Sequence, residues 1–335
     1  MSRLRYLSFL AGLIGIILPV DSVLAGKCSD GLQGIINANA RQSAAAYRRP
    51  HQRNTEGQYR FLGTTYQKKH ETLKPGDIVF DSGAGFGISG LEDAAKGYKT
   101  FAINAQDFWK EFQTTPLTDS FDNAAVQVED FAKQFNIALD RIPVEWEEIY
   151  DTKKWEVVKA WTSRSLKKAD RELLRSRILD YVGVQKKSGN FSYLVGFSEA
   201  QIPKIRRRAD LIRDLYGGYF YSADRIRLLE LYYTKLAENG LAAIRLSSET
   251  GDAATTWIQF NTGQLESLAK VLETKYPTIF RTETVEGGEV LIMRKEASVT
   301  RLGLSDHFTL DRSSVIMRPM NDTEVPEVRF LERKP

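Results

Sequence analysis

Short apolar runs alternate along the chain with stretches of helical spacing. Residues 78–80 and 98–103 each read as a buried strand, residues 209–218 as a short strand running into a glycine-containing loop, and residues 241–246 as a further strand. Between the last two, Ile226, Leu229, Tyr233 and Leu236 recur at intervals of three and four, which predicts a helix over residues 223–238 closed by Asn239-Gly240. A further helix is expected over residues 262–275. Residues 279–285 and 289–295, joined by Glu286-Gly287-Gly288, then form an antiparallel hairpin. Strands alternating with helices specify an α/β protein with a largely parallel sheet.

The two ends of the chain break this rhythm. Arg3 and Arg5, an apolar stretch over residues 6–20 and small residues around Ala25 make residues 1–25 a secretory signal peptide, so the mature chain is expected to be periplasmic or secreted. Membrane contact is then expected only through an uncleaved leader. Lys27 before Cys28 argues against lipidation, which needs a small residue there. Residues 26–60 read as an N-terminal arm, a short helix followed by a polar linker in which residues 51–57 show no period. The main domain spans 61–297, and residues 298–335 form an extension with a candidate strand at 314–318. Within the domain, residues 116–190 exceed what one crossover needs. Their second part, 167–181, predicts the crossover helix, and the first carries Trp146, Trp155 and Trp161. We expect a helical insertion there, either a cover for a cofactor or an aromatic structural cap.

Composition narrows the function classes. With 335 residues and 42% hydrophobic content the chain can build one large core. A net charge of +4, from 47 basic and 43 acidic residues, leaves no electrostatic footprint for nucleic acid. The basic cluster at 204–208 reads as a solvated face. One cysteine excludes an internal disulfide, and three dispersed histidines give no metal-ligand spacing, so no metal site is expected.

The candidate chemistry lies where the strand at 78–80 passes through Gly83, Gly85 and Gly87 into the helix at 88–97. Glycines at a strand-to-helix turn let a ligand approach the backbone, and the helix start offers free N–H groups. Two cofactors compete for this turn. Gly85-Phe86-Gly87-Ile88-Ser89-Gly90 satisfies the dinucleotide pattern G-x-G-x-x-G, whereas Asp81 suits the amino group of a zwitterion and would repel a pyrophosphate. The whole string from Leu73-Lys74-Pro75-Gly76 through Asp81-Ser82-Gly83-Ala84-Gly85-Phe86-Gly87 resembles the first motif of the class I S-adenosylmethionine-dependent methyltransferases, L-x-P-G followed by D-x-G-x-G-x-G. Residues 191–203 are similar to the family's third strand and its G-D-A-E-x-L-P continuation; Gly196, Glu199 and Pro203 match, and Phe197 replaces the Asp.

The resemblance implies a Rossmann-like seven-stranded mixed sheet with helices on both faces and a terminal antiparallel hairpin. It also implies S-adenosylmethionine as cofactor and methyl transfer to a small-molecule or protein acceptor that the sequence does not indicate. Asp81, Gly83, Gly85 and Gly87 would hold the methionine part, Asn104 the ribose where the family carries an acid, and Phe197, Ser198 and Glu199 the adenine edge. Acceptor chemistry would fall at the carboxyl ends of strands four and five. That places Asp210, Asp214 and Tyr216 near the methyl group, Asp214 before Asp210 as general base, with Tyr219 and Tyr221 as walls. The alternative is a catalytically inactive binding or interaction protein of the cell envelope on the same fold, which Asn104, Phe197 and the leader favour. A nicotinamide-dependent oxidoreductase is disfavoured by Asp81 and by the missing acid after strand two.

Overall fold

The structure is a computed structural model; it describes residues 54–117, a few positions within 128–137, 146–151, 156–161, 167–246 except Tyr216 and Ala223, 256–311 except Gly287, and 328–334. The leader, Trp155 and the candidate strand at 314–318 lie outside the described residues.

The first described helix, α1 (Thr55–Glu71), starts inside the stretch expected to be a polar linker. Asn54 caps it by accepting the Gly57 N–H at 2.8 Å, a local signal that a search for apolar period passes over. Then follow β1 (Ile78–Ser82), α2 (Ile88–Ala95), β2 (Lys99–Asn104) and α3 (Phe108–Thr114). The insertion, expected to be helical, carries an antiparallel hairpin of β3 (Trp146–Asp151) and β4 (Glu156–Trp161), in which Trp146 is paired with Trp161. Its β-branched and aromatic residues suit paired strands. The crossover helix α4 (Lys168–Lys187) leads to β5 (Phe191–Val195), the short α5 (Ser198–Gln201) and β6 (Ala209–Asp214).

After β6 come α6 (Gly218–Tyr221), α7 (Arg225–Lys235) and β7 (Leu236–Arg245). The helix therefore stops before the residue 238 expected for it. Leu236 already pairs with Ala209, and the register shifts before Leu211 meets Leu241, with Asn239 at a φ of 60°. The remaining elements are β8 (Thr256–Gln259), β9 (Leu265–Ser267), α8 (Leu268–Lys275), β10 (Phe280–Val285), β11 (Gly288–Arg294), α9 (Leu304–His307), β12 (Phe308–Leu310) and β13 (Val328–Glu332). Helix α8 begins at Leu268 rather than 262 because Ser267 caps it and the residues before it pair with β8.

The main sheet has the order β10-β11-β7-β6-β1-β2-β5, with β11 antiparallel to its two neighbours and the pairs among β7, β6, β1, β2 and β5 parallel. This is the seven-stranded mixed sheet with a terminal hairpin that the resemblance implies. Side chains alternate across it. Phe80, Ile212, Ile244 and Leu291 join one core with α7, α8 and the C-terminal strands, while Val79, Leu211, Ala243 and Ile292 join another with Leu62 and Tyr66 of α1. Helices thus cover both faces. The C-terminal extension supplies β12 and β13, which join β8 and β9 of the main domain in a second sheet of order β12-β13-β8-β9.

Candidate cofactor and active site

Strand order reverses direction at β1, which has β2 on one side and β6 on the other; the carboxyl edge at such a point is where open α/β sheets bind ligands. The glycine turn leaves β1 at this edge. Its backbone is held from several sides: the Gly83 and Ala84 N–H groups donate to Ile103 O at 2.9 and 3.0 Å, and Gly85 N–H donates to Asn104 Oδ1 at 3.2 Å. Tyr193 Oη donates to Gly85 O at 2.6 Å and Trp109 Nε1 to Phe86 O at 2.8 Å. Asn104 also gives one amide N–H to Gln106 O at 2.9 Å, which leaves its second N–H uncommitted at the end of β2.

Gly83 has a φ of 74°, and a Cβ there would stand 2.0 Å from Gly217 Cα. The loop after β6 therefore touches the turn backbone to backbone. Only glycine at both positions allows that approach. Asp214, at the carboxyl end of β6, anchors this loop. It is fully buried and accepts from Gly217 N–H at 3.0 Å, Tyr219 N–H at 2.7 Å and Tyr232 Oη at 2.7 Å. Tyr232 Oη also lies 2.5 Å from Ser82 Oγ, which is 2.6 Å from Ser198 Oγ. Burial pushes the Asp214 carboxyl up to about 7, and the bonds from Tyr232, Tyr219 and Gly217 offset only part of this.

Asp81 sits on the opposite face of β1. It is Arg213, its register partner on β6, that takes it: Nη2 stands 3.0 Å from Asp81 Oδ2, and Ser89 Oγ donates to the same oxygen at 3.3 Å. Arg213 Nη1 donates to Asp93 Oδ2 at 2.7 Å, and Asp93 Oδ1 lies 2.7 Å from His70 Nε2, whose Nδ1 is 2.7 Å from Tyr59 Oη. Burial alone would raise Asp93; the Arg213 charge and the His70 hydrogen bond overcome it and hold the carboxyl below its ordinary value. Arg213, Asp93, His70 and Tyr59 were absent from the sequence-based site. Arg213 is the one with a readable signal, a cation inside an otherwise apolar strand.

The expected site residues therefore separate. Gly83, Gly85, Gly87, Asn104, Ser198 and Asp214 gather at the carboxyl edge, and Phe197 and Glu199 join them through α5. Glu199 Oε1 is buried and makes no well-aligned hydrogen bond among the described residues; burial raises its carboxyl, and the Ser222 hydroxyl offsets part of this. Asp81 is not free to meet a ligand's amino group, because Arg213 neutralises it and it is 2% exposed. Asp210 does not reach the site: near the amino end of β6 its Oδ2 accepts the Ile78 N–H at 2.9 Å, tying the starts of two strands together. Asp214 is the loop anchor, with both oxygens engaged. Tyr219 is buried, its hydroxyl 3.0 Å from Thr256 Oγ1 and its ring under the Arg225 guanidinium. Tyr216 and the side chain of Tyr221 lie outside the described residues. Among the described residues no group of three or more acids, histidines and cysteines could hold a metal ion.

Tested against S-adenosylmethionine, the residues fit at the nucleoside end. The second Asn104 N–H, without a partner among the described residues, can meet a ribose hydroxyl, and the buried Glu199 Oε1 can accept from an amino group. At the methionine end the turn supplies backbone rather than the Asp81 carboxylate.

No protein-family profile and no curated protein matches the chain. Among solved structures it is similar to an rRNA methylase from Streptococcus thermophilus, at 12% identity and a TM-score of 0.33, over 71% of this chain and 96% of that one. A Clostridium thermocellum protein with an rRNA-methylase assignment aligns at 12% identity and a TM-score of 0.32, over 72% of this chain and 97% of the other.

Proposed function

We propose that the chain binds S-adenosylmethionine and transfers its methyl group to an acceptor, as an exported protein. One observation carries the reading: three glycines in left-handed conformation, at φ 74°, 60° and 72°, turn at the switch point of the sheet, where Gly83 N–H donates to Ile103 O and Gly85 N–H to Asn104 Oδ1 of the neighbouring strand. Gly83, Gly85 and Gly87 would support the methionine part, Asn104 the ribose, and Phe197, Ser198 and Glu199 the adenine. When bound, the cofactor supplies an electrophilic methyl group on a sulfonium. The chain's share is to orient donor and acceptor and to exclude water. Asp214 shapes the loop beside the acceptor and takes no proton in this scheme.

Calorimetric titration with S-adenosylhomocysteine tests the reading, with Asn104→Ala and NADH as comparisons. Micromolar binding weakened about tenfold or more by Asn104→Ala, with no response to NADH, supports it. A folded protein that takes up neither ligand overturns it. N-terminal sequencing of exported protein that begins at Gly26 would support export.

A second reading is supported by a specific contact. The Gly83–Gly217 approach and the capture of Asp81 by Arg213 suit a methyltransferase-fold domain that has given up catalysis for binding. Absence of S-adenosylhomocysteine binding selects it.

A further inference from the structure

The C-terminal strands build a second hollow away from the glycine turn. Helix α8 on one side and β12 with the end of β13 on the other border a cavity of about 530 Å³, with walls from Phe260, Val271 and Phe308. Two opposite charges face it. Lys275 comes from the last turn of α8, its ammonium 5.6 Å from the Phe308 ring centroid and 5.9 Å from that of Tyr276. Glu332 comes from the end of β13 and is fixed by accepting the Asn261 N–H at 3.0 Å through Oε2.

The other two carboxylates lining the cavity are paired with cations outside it. Glu266 pairs with Lys270 at 3.7 Å and Asp306 with Arg301 at 2.9 Å, both cations outside the lining. Arg333 holds its guanidinium on a neutral carbonyl, Nε donating to Phe308 O at 3.5 Å, and it and Lys334 stand at the exposed rim with their charges toward solvent. Lys275 and Glu332 both line the cavity and feel one another, yet form no ion pair among the described residues. Burial lowers the Lys275 ammonium, and the Glu332 charge only partly restores it. Opposite charges held apart over apolar walls are satisfied together by a molecule that carries both signs itself.

We infer that this cavity binds a small zwitterion with an apolar or aromatic body, its carboxylate on Lys275, its ammonium on Glu332 and its body against Phe260, Val271 and Phe308. The site is independent of the methyl-transfer reading.

The test is calorimetry on the full chain with L-phenylalanine, 3-phenylpropionate and phenethylamine, which share one ring and differ in charge. The zwitterion should bind about tenfold more tightly than either singly charged analogue. Lys275→Gln should weaken phenylalanine and phenylpropionate about tenfold and spare phenethylamine; Glu332→Gln, which still accepts from Asn261, should weaken phenylalanine and phenethylamine and spare phenylpropionate. Lys275→Arg and Glu332→Asp should keep the wild-type order. A melting temperature and a titration with S-adenosylhomocysteine show that fold and glycine turn are unchanged. No binding by any of the three, equal binding by all, or variants that weaken all alike would overturn the assignment.

Discussion

Arg213 and Asp214 are consecutive residues of β6, both fully buried, and they face opposite sides of the sheet. On one side the Arg213 cation is enclosed by Asp81 and Asp93, with His70 behind Asp93. On the other, Asp214 meets no cation among the described residues and rests on two backbone N–H groups and the Tyr232 hydroxyl. The first group stays charged because its partners are charged. The second is pushed toward its protonated form. A buried ionisable group has these two exits, and one dipeptide uses both.

The largest expected effect comes from removing the cation. Arg213→Met leaves Asp81 with only the Ser89 hydroxyl and Asp93 with only His70, and should cost about 3–5 kcal/mol of unfolding free energy in a urea titration. A loss below about 1 kcal/mol would mean that the two carboxylates are not relying on Arg213.

The two faces should also respond to pH with opposite sign. The folded Asp214 value is raised from 3.8 to about 7, so the stability this proton gives is fully present below pH 3.8 and is lost as pH rises through about 7. Asp93 is lowered below 3.8; its contribution is present above that pH and is lost as pH falls through its folded value. Unfolding free energies compared between wild type and Asp214→Asn should therefore diverge from pH 4 to 7, wild type losing on the order of 2–4 kcal/mol more. Parallel profiles would sink the assignment.

The loop that Asp214 anchors gives the next test. Gly83→Ala puts a methyl 2.0 Å from Gly217 Cα, and both sides of the contact are backbone. With a φ of 74° at Gly83 as well, the change should cost about 2–3 kcal/mol, read as a lowered urea midpoint. Gly76→Ala, whose Cβ would meet nothing within 4 Å, isolates the conformational part of that cost.

The contrast between the two faces also shows what the sequence could and could not disclose. The strands at 78–80, 98–103 and 191–195 and the glycine turn were legible because period, glycine spacing and motif order are local properties. Asp81 was legible as an acid in the right place, but its partner was not. Only the β1–β6 register sets Asp81 beside Arg213 and Ser82 beside Asp214, and register depends on pairing across more than a hundred residues. Asp210 was misplaced for a different, local reason: as the second residue of β6 it stands at the sheet edge opposite the site. His70 and Tyr59 were hidden because α1 begins at a polar cap rather than at an apolar period.

The smallest change sharpens the comparison most. Tyr232 carries one hydroxyl proton, and its oxygen lies 2.7 Å from Asp214 and 2.5 Å from Ser82. With Asp214 ionised, Tyr232 donates to the carboxylate and Ser82 donates to Tyr232, so the chain of hydroxyls points at the charge. Tyr232→Phe removes that donor and should cost about 1 kcal/mol at neutral pH. It should also lift the folded Asp214 value further, because a bond favouring the charged form is gone. The stability lost with rising pH would then extend above 7 in this variant, whereas the Asp93 limb at acid pH would stay where it is in wild type. An acid limb that moved with Tyr232→Phe would show that the two faces of β6 titrate as one network rather than two.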